Sequence, residues 1–129
     1  MSDDKASEQE EDGNQFQEDE SAVKDRGKLK WLRIGGYPWW PSIVATMADV
    51  PVHLRTKLWQ DKSRKPGARL LFTFGDRKWS WGTLDRMHDW QGQRHREYEA
   101  QGKGKLFKAA LQECKQEAEV PGSQFPRHI

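Results

Sequence analysis

Gly36-Tyr37-Pro38-Trp39-Trp40-Pro41 decides the reading of this chain. Two adjacent tryptophans and a tyrosine stand between two prolines. Each large ring carries apolar area worth a few kcal/mol on burial, at roughly 25 cal/mol per Å², so such a run is costly to expose. Pro38 and Pro41 fix φ and forbid a helix, so the backbone here is extended or turning. Successive side chains of an extended segment point to opposite faces. Trp39 and Trp40 therefore cannot both serve one core: one ring is expected in the core and the other presented. A presented indole beside Tyr37 is suited to bind a methylated ammonium by cation–π attraction.

Working outward, Leu29 to Ile34 alternates with a phase slip and reads as a first strand, and Ser42 to Met47 reads as a second. Residues 48–67 read as an insertion, a short helix capped by Asp49 with Pro51 early in it, then a basic loop containing Lys62, Arg64 and Lys65. In the third strand, 68–74, Leu70, Phe72 and Phe74 share one face while Leu71 and Thr73 share the other. Gly75 and Asp76 turn the chain into a fourth strand, 77–81, and residues 82–87 supply a short fifth. Several short strands joined by tight turns predict a small barrel. Residues 91–101 predict a surface helix. Lys105 to Glu119 predicts a second helix with Phe107, Leu111, Cys114 and Ala118 in one apolar stripe.

Lys28 to Met47, the Phe74-Gly75-Asp76 turn and Trp79 to Leu84 together resemble a PWWP domain, of the Tudor- and chromo-like "Royal" superfamily. The signature tetrapeptide is intact at Pro38-Trp39-Trp40-Pro41, and the resemblance covers residues 28–119. It implies a mainly β fold with α: a five-stranded barrel at about 28–88, then helices at about 91–119. It also implies a methyllysine cage whose walls are Tyr37 and Trp40, with Trp39 inside the barrel and Asp76 facing the cation. The family's third wall falls at Thr73, which is not aromatic. Either Phe74 closes the cage, or another ring such as Phe72, Trp79 or Trp81 does, or the cage has two sides only.

Charge is unevenly distributed. Residues 1–20 hold nine acids against one base, a net of −8, and the remaining 109 residues carry +10, within a total of +2. A basic domain points to a polyanion. Arg33, Lys62, Arg64, Lys65, Arg77, Lys78, Lys103 and Lys105 are the expected phosphate contacts, and the resemblance likewise implies weak binding to duplex DNA beside the cage. Residues 1–27 read as a disordered acidic tail, either a solvated leader or a competitor for the basic face, and 120–129 as a flexible end.

Cys114 is the single cysteine, which excludes an internal disulfide or a cysteine-based zinc site. His53, His88, His95 and His128 are scattered without metal-ligand spacing, and no phosphate loop or nucleophile elbow occurs. The expectation is no enzyme, no metal and no cofactor. With no long apolar run and an acidic start, the chain reads as soluble and intracellular, without a membrane partner. The resulting expectation is a nuclear, monomeric chromatin reader at the N-terminal end of a larger protein. It binds a trimethylated lysine on a histone H3 or H4 tail and the duplex DNA of a nucleosome, in transcription elongation or chromatin regulation. The alternative is a non-specific DNA-binding module with a vestigial cage.

Overall fold

The computed structural model describes residues 16–126. Among them the elements run α1 (Glu20–Lys24), β1 (Leu29–Leu32), β2 (Trp40–Ala45), α2 (Val52–Trp59), β3 (Arg69–Thr73), β4 (Lys78–Gly82), β5 (Met87–Asp89), α3 (His95–Gln101) and α4 (Lys105–Glu119), with single 3-10 turns at Met47–Asp49 and Leu84–Arg86. The strands form one antiparallel sheet in the order β4-β3-β2-β1-β5. The expected barrel is therefore an open sheet with β4 and β5 as its edges. It is nevertheless strongly curled: a Cβ placed on Gly82 of β4 would lie 2.7 Å from Leu32 Cδ1, although two strands separate β4 from β1. A larger residue there would have to displace the side-chain ends of Leu32 and Leu71.

Strand alternation sorts the side chains as the sequence indicates. Leu32, Val44, Leu71 and Met87 form a small cluster inside the curl. Trp31, Ile43, Ala45, Leu70, Phe72 and Phe74 join the larger cluster, to which Phe107, Ala110 and Cys114 of α4 also belong. Burial pushes the Cys114 thiol far up, so it behaves as a small core hydrophobe. Asp49 does not cap α2, which starts after Pro51. Its carboxylate instead accepts from Thr46 N at 2.8 Å and pairs with Arg26 at 2.6 Å.

Three further differences have physical reasons. The disorder expected over residues 1–27 does not hold for 16–27. Phe16 is buried with its ring 5.3 Å from Trp59, the Glu18 carboxylate accepts from Met47 N at 3.1 Å, and Asp25 pairs with the buried Arg69 at 3.0 Å. Residues 1–15 lie outside the described residues. At the other end, Phe125 is buried against Phe72 at 5.3 Å, so the segment expected to be flexible docks as far as Pro126; residues 127–129 are again outside the described residues. The buried stripe of α4 is Phe107, Ala110, Cys114 and Glu117, off the expected line at two positions: Ala110 is buried in place of the expected Leu111, and Glu117 in place of Ala118. Glu117 is drawn inward because its carboxylate accepts the backbone N–H groups of Gly122, Gln124 and Phe125 at 2.7, 2.7 and 3.0 Å.

Gly75 illustrates how tightly the β3–β4 turn meets α4. It has φ +82°, and an added Cβ would lie 2.9 Å from both Ala110 Cβ and the Leu106 carbonyl oxygen. Gly75→Ala is expected to destabilise the fold by about 1–3 kcal/mol through left-handed strain, and by more through displacement of the helix. A urea unfolding curve against wild type checks this, with a midpoint below wild type as the expected outcome.

Candidate functional site

The β1–β2 loop carries the first expected wall. It turns through Tyr37 N, which donates to the Ile34 carbonyl at 2.9 Å, and leaves Tyr37 64% exposed. Trp40 opens β2 opposite Leu32 and is only 8% exposed. Its Nε1 donates to the Phe74 carbonyl at 2.8 Å. Tyr37 stands edge-on to Trp40, with centroids 6.4 Å apart and planes at 77°, while Phe107 meets Trp40 from another direction at 5.5 Å and 79°. Two nearly perpendicular rings, one presented and one anchored, thus meet at the mouth of this loop.

The roles expected of the two tryptophans are exchanged with respect to burial. Trp39 is half-buried, stacked on His88 and Tyr98 at 4.6 Å each. Trp40 is the more deeply buried of the two. Alternation leaves open which ring is buried; the resemblance implies Trp39 inside the barrel, but β2 begins only at Trp40, so Trp39 belongs to the loop. Trp39 is held by the β5 and α3 side chains His88 and Tyr98, which hydrogen-bond to each other at 2.6 Å.

Thr73 pairs with Ser42, two residues along β2 from Trp40, so by strand alternation Thr73 and Trp40 leave the sheet on the same side, although the Trp40 ring also joins the larger cluster that holds Phe72, Phe74 and Phe107. Thr73 is buried, and its hydroxyl bonds to the Asp76 carboxylate and accepts from Lys78 N at 3.3 Å. Asp76 is therefore held beside Thr73. Phe74 points the other way: it is fully buried with its ring 6.1 Å from Phe72, and only its carbonyl reaches Trp40. The ring of Phe74 is thus a core side chain on the face opposite Thr73. Phe72, Trp79 and Trp81 share that core side, with Trp79 5.1 Å from Phe72 and Trp81 6.1 Å from Trp59. The geometry therefore brings the rings of Tyr37 and Trp40 together and ties the Asp76 carboxylate to the Thr73 hydroxyl.

The expected phosphate contacts divide into groups. Arg33 and Lys65 line one cleft of about 390 Å³, together with Arg86, Ser63, Ser80 and Thr83. Arg86 was not read from the sequence, because only folding brings the turn after β4 against the β1–β2 loop, where Arg33 N donates to the Arg86 carbonyl at 2.8 Å. Lys62 and Lys78 are exposed. Arg64 lies over Trp59, 3.8 Å from the ring centroid, and Arg77 pairs with Glu113 at 3.2 Å, so both are engaged within the protein. Lys103 and Lys105 are exposed where α3 meets α4, two residues and more before the Phe107 that backs Trp40. Among the described residues no group of His, Cys, Asp and Glu is placed to hold a metal ion, and no helix is long and apolar enough to cross a membrane.

A model of the PWWP domain matches residues 27–119. The chain belongs to the PWWP domain family. The fold agrees with two solved PWWP structures. The second PWWP domain of the WHSC1L1 protein superimposes with a TM-score of 0.55 at 23% identity, over 73% of this chain and 82% of that one. A PWWP domain from Schizosaccharomyces pombe gives 0.55 at 16% identity, over 70% and 83%. PWWP domains are chromatin-binding modules, and as a class they are non-catalytic. The tetrapeptide of this PWWP domain thus bridges two environments, with Trp39 and Trp40 anchored in different layers and Tyr37 left free to solvent.

Proposed function

We propose that this PWWP domain is a non-catalytic nuclear reader that binds trimethyllysine on a histone tail between Tyr37 and Trp40, assisted by non-specific contacts to nucleosomal DNA, in transcription elongation or chromatin regulation. The observation that carries the reading is the perpendicular meeting of an exposed Tyr37 with an anchored Trp40. A trimethylammonium keeps its charge but has no hydrogen-bond donor, so ring faces suit it better than water does. Asp76, held by Thr73, supplies a negative charge on the same side of the sheet. Titration of a trimethyllysine histone peptide followed by NMR tests the reading.

The alternative, a DNA-binding module with a vestigial cage, is favoured by one observation. Trp40 presents little surface, and the third position is Thr73 rather than a ring. Both readings include DNA, through Arg33, Lys65 and Arg86 in the shared cleft and the exposed Lys62, Lys78, Lys103 and Lys105. Binding governed by phosphates should weaken with salt at a log–log slope of about −0.9 per phosphate neutralised, with low sequence preference. Fluorescence anisotropy on unrelated duplexes across a salt series measures this. A flat response or a strong sequence preference would count against it.

In this reading the N-terminal acids compete with DNA for the basic residues. Residues 1–15 hold six acids and one base, and they precede Phe16, which packs against the Trp59 that also carries Arg64. A tethered polyanion has a high effective concentration at its own basic face. Removing residues 1–15, which keeps the Phe16 anchor, is expected to tighten DNA binding at low salt. Equal affinities of the full and shortened chains would dispose of the idea.

A further inference from the structure

Strand β4 is an open edge of the sheet, and an edge strand offers unpaired backbone N–H and C=O groups to an added strand. Two cavities flank it, and Asp61 and Trp79 line both. On one side is an apolar groove of about 430 Å³ between β4 and α2, built from Leu54, Leu58 and Trp79. Leu54 remains 36% exposed there, and Val52, at the start of the same helix, is also exposed. Adjoining the groove at Trp79 and reaching across β4 to Ser80 is the basic cleft of Arg33, Lys65 and Arg86, lined also by Ser63 and Thr83. Among the described residues Arg33 and Lys65, and Lys57 and Lys78 at the groove, have no acidic partner, and Arg86 has only its chain neighbour Asp85. The one carboxylate common to both cavities, Asp61, is already engaged, accepting from Ser63 N at 2.8 Å and Ser63 Oγ at 2.6 Å, bonds that hold it below the usual carboxylate range.

We infer that β4 accepts, as a sixth strand, an extended segment of a partner protein in which apolar and acidic residues alternate. Side chains of an added strand point alternately to the two faces of the sheet. One set would enter the Leu54, Leu58 and Trp79 groove, and the other would face Arg33, Lys65 and Arg86. Apolar residues suit the first set and carboxylates the second. Charge also argues against a second copy of this chain pairing β4 to β4, since that would bring Lys78 and the basic cleft together with their equivalents. The inference does not depend on the cage, because no residue of Tyr37, Trp40, Thr73 or Asp76 lines either cavity.

The test uses the full chain and a synthetic heptapeptide alternating valine or isoleucine with glutamate, beside a version with lysine for glutamate and a scrambled version. NMR is expected to show shifts at residues 78–82 and at Leu54 and Leu58, and slowed amide exchange along β4, with the alternating acidic peptide alone. Leu54→Glu, at an exposed position, and Arg86→Glu should each weaken binding about tenfold or more, by opposing the apolar and the acidic face in turn. Absence of shifts at millimolar peptide overturns the inference. So does equal binding of the lysine peptide, or affinity unchanged by both variants. If duplex DNA perturbs Arg33, Lys65 and Arg86 while the acidic peptide neither binds nor competes, the cleft is a phosphate site and the added-strand inference is wrong. Trimethyllysine peptide shifts at Tyr37 serve as the independent readout of the cage.

Discussion

Trp40→Ala is expected to lower stability by about 3–5 kcal/mol, the cost of truncating a buried large aromatic. The substitution also leaves the Phe74 carbonyl without the indole N–H that satisfies it at 2.8 Å, which adds about 1 kcal/mol. A small domain has only about 5–15 kcal/mol in total, so the variant should be partly unfolded at ambient temperature. Trp39→Ala should cost less, about 1–3 kcal/mol, because Trp39 is half-buried and contributes chiefly two stacked contacts, with His88 and Tyr98. The order is the reverse of what the family resemblance implies, with Trp39 inside the barrel. Urea denaturation of both variants measures it, and a Trp39 variant less stable than the Trp40 variant would contradict the packing described.

Tyr37→Ala is the second large effect, and it falls on binding. At 64% exposure the side chain contributes little to the core, so stability should stay within about 0.5 kcal/mol of wild type. If Tyr37 is one desolvated wall around a trimethylammonium, its loss costs about 2 kcal/mol, or roughly 30-fold in peptide affinity. Trp40→Ala cannot isolate that effect, since it damages the fold at the same time. Tyr37 is therefore the residue at which site and scaffold separate.

Much of the fold was legible because strand period and turn chemistry agree locally. Leu70, Phe72 and Phe74 against Leu71 and Thr73 alternated as written, and Gly75 marked the turn that α4 crowds. The helix Lys105–Glu119 was readable from its apolar spacing, but two of its buried positions, Ala110 and Glu117, were not. Glu117 goes inward to bind backbone groups of residues 122–125, a contact that no periodicity encodes. Phe16 was misread for a related reason. A single aromatic in an acidic segment cannot nucleate a core, yet it can join one supplied by Trp59 from elsewhere in the chain. The signal that could have found it is Asp19, which accepts from Ser21 N at the start of α1.

The candidate site was legible in part for the same reasons. Tyr37 and Trp40 were placed by the proline-bounded motif, and the structure brings them together. Phe74 was a fair alternative for a third wall by sequence proximity, but β3 alternation turns its ring to the face opposite Thr73, which holds Asp76. Arg86 was invisible because its association with Arg33 and Lys65 exists only after the sheet curls. Conversely, Arg64 and Arg77 looked like free cations in the sequence, whereas an indole ring and a carboxylate engage them.

The most direct test of the central claim is a two-dimensional NMR titration of the full chain with a trimethyllysine histone peptide and its unmethylated counterpart, repeated on Tyr37→Ala. The account predicts methylation-dependent shifts at Tyr37, the Trp40 indole N–H, Thr73 and Asp76 in wild type, and their loss in a Tyr37→Ala protein whose remaining spectrum is unchanged. Equal shifts with both peptides, or wild-type shifts in a folded Tyr37→Ala variant, would contradict it and leave DNA as the ligand of this domain.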